Sequence, residues 1–364
     1  MQQYLADSAL AEILERAAPI LGRDNLNGES TLTSDWMSRF SDDTKLVDMN
    51  LPGTHDAATW DYSDARQAEL IKYTGPIRPA KYFRCQERSL VQSLNDGIRV
   101  FDLRLGYNPG NDTIGLYHGT AVLGPTTTLQ DVLYGLYSWL IAHPSETILV
   151  SINQEAGSNT LYDKKFEEIL FATLNNDVGK KFWLSTAGGL GTLGTARGKL
   201  ILLQRFTYQF LSSPPANPFG IHLDAEQWIP NGGDIKLIYN KVPKRVAYIE
   251  DTFKPLVPPN SGAEVNITSK FEVVTAHINK AMINASKPGV DEALYISFAS
   301  AYADYANVKT PVTPNIMALG DASTKGMNER LMPWFKQNQG KHFGVVFLDF
   351  YHSQPGLIEA IVGF

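Results

Sequence analysis

The sequence predicts an α/β fold: a distorted (β/α)8 TIM-type barrel, a single domain with an N-terminal helical extension. Three observations predict it. From Lys45 onward, short apolar runs alternate with helical patterns, and eight of those runs read as strands. Several runs are apolar on both faces, as strands buried in a parallel sheet are. The 364 residues fit one barrel, although the length alone also admits two average domains.

Residues 1–40 stand apart as the extension. Leu5, Leu10, Ile13, Leu14, Ala17, Ile20 and Leu21 recur at helical spacing and mark one apolar stripe. That stripe is read as packing on the main body, because a membrane-surface helix needs Lys and Arg on its polar face. The catalytic barrel is assigned to 41–364. Its strands are expected at 45–50, 98–105, 114–118, 146–153, 199–206, 245–250, 293–299 and 343–350. The clearest helix is 129–143, where Thr128 can cap the start and Pro144 follows the end. Further helical patterns lie near 86–96, 162–177, 264–286 and 325–338.

Composition excludes several function classes. The net charge of −6 disfavours a protein that tracks nucleic acid, which carries a basic stripe. A single cysteine, Cys85, excludes an intramolecular disulfide and a multi-cysteine metal site, and is read as a small core residue. No apolar run approaches the ~18 residues of a membrane span. The first residues, MQQYLADSALAEILERAAPI, lack the basic head of an export signal.

Barrel catalysis occurs where strands end at their C-terminal side. The expected strand ends deliver His55 and Asp56, Asp102 and Arg104, His118, Asn153 and Glu155, Arg205, Asp251 and Asp349. Any one of these alone reads as a salt bridge or satisfied core group; their concentration at one mouth reads as a site. Two histidines can divide the roles of base and acid. Asp102 and Arg104, two apart on a strand, share a face. The Arg104 guanidinium offers a planar fork to phosphate oxygens. A base, an acid and a guanidinium together describe displacement at a phosphodiester.

LPGTHDA (51–57), GIRVFDLRL (97–105), NDTIGLYHG (111–119) and PSETILVS (144–151) resemble the X domain of phosphatidylinositol-specific phospholipases C, of the small bacterial, metal-independent type. ARGKLILLQRF, EQWIPN, YIEDTF, ALYISFAS and FGVVFLDFY follow in the matching order. The resemblance implies a lyase that forms diacylglycerol and inositol 1,2-cyclic phosphate, with glycosyl-phosphatidylinositol anchors as a related substrate. It implies His55 as general base oriented by Asp349, and His118 as general acid assisted by Asp56. Arg104 then contacts phosphate and Asp102 holds the cations. Arg205 and Asp251 contact inositol hydroxyls, Trp228 walls the pocket and Phe253 packs on the ring. Phe253 stands where the bacterial enzymes carry tyrosine, and Asn153 where they carry lysine. Glu155, beside them, completes the expected substrate-binding set.

Calcium-dependent relatives replace the arginine with an acidic ligand. Asp56, Asp102 and Glu155 could gather a cation, but Arg104 would put like charge in that space. No metal and no cofactor are therefore expected. The expected partner is a phosphatidylinositol-containing membrane surface, touched transiently by rim loops such as 121–125 and 208–219, with no nucleic acid and a monomeric chain. The resemblance implies a secreted enzyme whose leader is absent here; a cytoplasmic one is the alternative. Two competing functions stand: a non-catalytic phosphoinositide-binding module, and a metal-dependent barrel phosphodiesterase. Gly189–Gly194 fits G-x-G-x-x-G but precedes a strand, so it is read as a loop and not a dinucleotide site. The triplets starting at Asn111, Asn266 and Asn284 match glycosylation acceptors, a pattern that arises often by chance.

Overall fold

A computed structural model describes residues 2–24, 26, 31–186, 188–211, 219–285, 293–304 and 311–363. The first half runs α1 (Gln2–Leu21), β1 (Leu51–Thr54), α2 (Asp64–Thr74), α3 (Leu90–Asn95), β2 (Val100–Tyr107), β3 (Ile114–His118), β4 (Ala121–Val122), α4 (Leu129–Ala142) and β5 (Ile148–Gln154). Then come α5 (Lys164–Asn175), α6 (Gly179–Phe182), α7 (Leu193–Ala196), β6 (Leu200–Gln204), β7 (Ile221–His222), β8 (Ile235–Lys241) and β9 (Lys244–Glu250). The chain continues through α8 (Ala263–Ala285), β10 (Leu294–Phe298), α9 (Pro314–Leu319), β11 (Gly320–Asp321), β12 (Thr324–Lys325), α10 (Met327–Gln337), β13 (Val345–Leu348) and α11 (Leu357–Val362).

The main sheet runs β7-β6-β5-β2-β1-β13-β10-β9-β8. Every neighbouring pair is parallel except β8 with β9. Eight parallel strands thus curl into a barrel, and among the described residues no ladder joins β7 to β8. The fold is a single-domain, distorted (β/α)8-type barrel, open at that seam.

Two of the expected strands are corrected. Residues 45–50 form a 3-10 turn at Leu46–Asp48, and the strand starts at Leu51. Pro52 and Gly53 read as turn residues, but both fit here. Pro52 needs no donor because β2 pairs with β1 only from Gly53 onward. A Cβ at Gly53 would meet Phe347 and Val100 at 3.0 Å, so glycine permits the close approach of three strands. The run 114–118 is a strand, but it pairs antiparallel with β2 in a meander with β4 and lies off the barrel path. The place it was expected to fill is taken by the two-residue β7, too short for any periodic signal.

The N-terminal helix packs on the body along the later part of its expected stripe, while Leu5, expected on it, is exposed. Ala17, Ile20 and Leu21 are buried, and α1 lies on α4. Arg16 pairs with Asp131 at 2.9 Å, and the Thr127 hydroxyl donates to Arg16 O at 2.6 Å. Thr128 caps α4 in a capping box with Asp131. Downstream, Trp36 is fully buried and donates to Gly97 O. The Thr33 and Ser34 carbonyls help satisfy Arg99, whose fully buried guanidinium pairs with Glu146 at 2.6 Å. This pair precedes β2 and β5, at the end of the barrel away from the mouth.

Candidate active site

The loop after β1 carries His55 and Asp56. Asp56 adopts a left-handed backbone (φ 41), a strained state that persists only where its surroundings fix it. They do so here. His55 N–H donates to Leu348 O, the Gln86 amide donates to His55 O (2.7 Å) and Leu348 O (2.9 Å), and the Thr59 hydroxyl donates to Asp56 O. Trp60 of the same loop donates to Ile20 O, tying it to the end of α1.

His55 Nδ1 lies 2.9 Å from Asp349 Oδ1, just past β13. When Asp349 is ionised it accepts, so that Nδ1 carries the hydrogen and Nε2 presents a lone pair to the mouth. His118, at the end of β3, has Nδ1 2.6 Å from the Phe83 carbonyl, which also accepts only. Its Nε2 therefore faces the same mouth. The two Nε2 atoms converge on one oxygen: Asp56 Oδ2 is 3.0 Å from His55 and 3.2 Å from His118. The ring centroids are 6.2 Å apart.

On β2, Asp102 and Arg104 share the inward face. Arg104 Nε is 2.8 Å from Asp56 Oδ1, its Nη2 3.2 Å from Asp102 Oδ2, and its Nη1 3.6 Å from Glu155 Oε2. Arg205, beyond β6, donates to Asp102 Oδ1 at 3.1 Å and lies 3.9 Å over the Trp228 ring. Trp228 in turn donates to Asp251 Oδ2 at 2.8 Å. One polar chain therefore runs Asp251, Trp228, Arg205, Asp102, Arg104, Asp56 and the two histidines. Asn153 pairs with Arg104 in the β2/β5 register and leaves the sheet on the same face. Phe253 stacks on Tyr302, centroids 6.3 Å apart, and has no ring contact with Trp228.

Burial sets the electrostatics. It pushes His55 well below its usual range, with Arg104 adding to the effect, so the imidazole is neutral at neutral pH. Burial raises Asp56 to about 6 against the pull of Arg104, and raises Asp349 well above the carboxylate range. The carboxylates around Arg104 hold its guanidinium firmly charged despite burial.

Several functional neighbours escaped the sequence reading. The Phe83 carbonyl sets the His118 tautomer, and Gln86 fixes the His55 backbone; neither ends a strand, so the strand-end rule passes over both. Cys85, read as core, is fully buried but sits 3.8 Å from His118 Nδ1. Phe298, at the end of β10, packs edge-on against His55 and beneath Arg205.

The family model for phosphatidylinositol-specific phospholipase C, X domain, matches residues 81–206. That match spans about a third of the chain and marks a similarity to the phosphatidylinositol-specific phospholipases C. The match takes in Asp102, Arg104, His118, Asn153, Glu155 and Arg205, while His55, Asp56, Trp228, Asp251, Phe253 and Asp349 lie outside it. A 1-phosphatidylinositol phosphodiesterase of Staphylococcus aureus (strain Newman) is 26% identical over 199 residues, 54% of this chain and 57% of that one. The protein of the same name from Listeria monocytogenes serovar 1/2a is 30% identical over 179 residues, covering 48% and 49%. The chain thus spans about half the length of the curated relatives it matches. A solved double mutant of the S. aureus phosphatidylinositol-specific phospholipase C superposes with TM-score 0.70 at 20% identity, over 93% of this chain and 98% of that one. That likeness speaks for the barrel architecture alone.

Proposed function

We propose that the chain is a phosphatidylinositol diacylglycerol-lyase acting at a lipid surface by general acid/base catalysis. The observation that carries this is the meeting of His55 Nε2, His118 Nε2 and the Arg104 guanidinium around one carboxylate, Asp56. His55, neutral and oriented by Asp349, takes the proton of the inositol 2-hydroxyl. That oxygen attacks its neighbouring phosphorus as an intramolecular nucleophile. The bond from phosphorus to the diacylglycerol oxygen breaks as His118 Nε2 delivers a proton to that oxygen. Arg104 neutralises charge on the phosphate, and Asp102 and Asp56 keep guanidinium and imidazoles together. The products are diacylglycerol and inositol 1,2-cyclic phosphate, with slower hydrolysis to the monophosphate.

Arg205, Trp228 and Asp251 form the sugar end of the same polar chain, with Asn153 and Glu155 beside Arg104. Phe253, stacked with Tyr302, offers an aromatic face at the rim. The donors do not suit calcium. Among the described residues, the ligand sets within reach of one another combine at most two aspartates with a histidine, where calcium takes 6–8 oxygens. The two aspartates of the set with His55, Asp56 and Asp102, already hold Arg104.

Membrane contact is supported by where apolar side chains are exposed. Leu161, Phe210, Ile229 and Leu256 are all exposed and follow β5, β6, β7 and β9 respectively, the loops of the mouth end. Ala121, Val122 and Leu123 of the expected rim loop 121–125 are buried and take no part. Of the expected loop 208–219, residues 212–218 lie outside the described residues. Among the described residues no helix is long and apolar enough to cross a membrane.

The test is His55→Ala assayed for turnover and for vesicle binding. The proposal expects turnover to fall by about 10²–10⁴-fold, the usual contribution of a proton carrier, with binding retained. A variant that keeps its turnover refutes it, and a wild type that binds vesicles without turnover identifies a binding module instead.

A further inference from the structure

A cavity of about 680 Å³ opens beside the mouth, between the first residues of α2 and α9. Its size is that of a small-molecule site. Tyr62, Ile316 and Phe350 give it apolar walls, and Lys81 and Arg84 stand at it as cations, with Asp64 the one carboxylate among the described residues that line it. The Arg84 Nε donates to Gln86 O at 3.1 Å. Among the described residues neither cation is within ion-pair distance of a carboxylate. Ser63, Thr313 and Asn315 also line it, so two cations beside a hollow of mixed lining complement a ligand with a negative, hydrogen-bonding head and a short hydrocarbon chain.

Two ring contacts tie the cavity to the candidate site. Tyr62 meets Phe83 edge-on at 5.9 Å, and Phe83 meets His118 at 5.8 Å. Phe350 directly follows Asp349, holds a left-handed backbone (φ 45) and donates its N–H to Cys85 O at 3.0 Å.

We propose that this cavity binds an anionic amphiphile, its phosphate or carboxylate against Lys81 and Arg84 and its chain along Tyr62, Ile316 and Phe350, as a second lipid-class site one ring away from His118. The test uses the full chain with labelled isoleucine methyl groups, Ile316 being assigned with Ile316→Val. Octyl phosphate and octanoate, each below its micelle-forming concentration, are expected to shift the Ile316 methyl signal saturably. The pair distinguishes a phosphate from a carboxylate head. Lys81→Gln, at an exposed position, should weaken binding about tenfold with its other methyl signals unchanged. Arg104→Gln should bind as the wild type does, which separates this site from the proposed catalytic one. An Ile316 signal that moves equally with octyl glucoside overturns the anionic head, and one that moves equally with inorganic phosphate overturns the chain. Loss of binding in Arg104→Gln, or no shift with either anion, overturns the site.

Discussion

At the residue scale, the site places cost and use on the same atoms. Asp56 is buried, strained and raised to about 6, so its ionised form destabilises the fold. Its raised value favours folding below about pH 4, and that contribution is lost as pH rises through about 6. Asp56→Asn is therefore expected to raise the melting temperature at pH 8, to lose that advantage at pH 4, and to lower turnover. Thermal scans at both pH values check this, and a variant equally stabilised at both contradicts the assignment. His55 carries the opposite sign: its depressed value supports the fold above the usual histidine range and withdraws that support on acidification. Arg104→Lys keeps charge but loses the fork. The loss expected in kcat is about 10²–10³-fold, comparable to removing one transition-state donor. The candidate-site residues were legible here because each sits beside a strand end with a distinctive neighbour. Phe253 was legible as aromatic, but its partner Tyr302 lies in a different loop, where no sequence spacing connects them.

At the scale of elements, glycine decides the seating of the N-terminal helix. A Cβ at Gly135 of α4 would fall 2.0 Å from Leu21 Cδ1. Helix propensity alone favours alanine there by up to about 1 kcal/mol, but overpacking a buried contact costs about 1–3 kcal/mol. Gly135→Ala is thus expected to destabilise, and adding Leu21→Ala should recover part of that loss. Equilibrium denaturation of the two single variants and the double variant reads the coupling directly. An additive cycle shows that α1 is not seated this way. Helix α4 was readable from its stripe and cap because both are local. The extent of 86–96 was not: only Leu90–Asn95 is helical, since Ser89 caps it with Gln92 and the preceding residues extend to reach His55 and His118. The alternating β8 (Ile235–Lys241) went unread because its outward lysines break up the apolar run that marks the barrel strands.

At the scale of the whole molecule, a chain of net charge −6 gains little from general attraction to anionic bilayers, so the proposed surface contact would fall to the apolar rim. Leu161→Ser combined with Leu256→Ser is expected to weaken vesicle binding about tenfold or more, given the transfer energy of leucine. Cleavage of a monomeric, water-soluble phosphatidylinositol should be unchanged. Sedimentation with vesicles and a soluble-substrate assay separate the two, and equal losses in both place those leucines elsewhere in the account. The barrel as a whole was legible because buried parallel strands write themselves as apolar runs. Its seam was not, because β7 contributes two residues and β3 imitates a barrel strand while folding back antiparallel.

The most direct test of metal-free cyclisation is phosphorus NMR of phosphatidylinositol digested in excess chelator. The account predicts a cyclic phosphodiester resonance that grows first and converts slowly to a monoester. A monoester appearing with no cyclic precursor, or a reaction that starts only when calcium is restored, contradicts it.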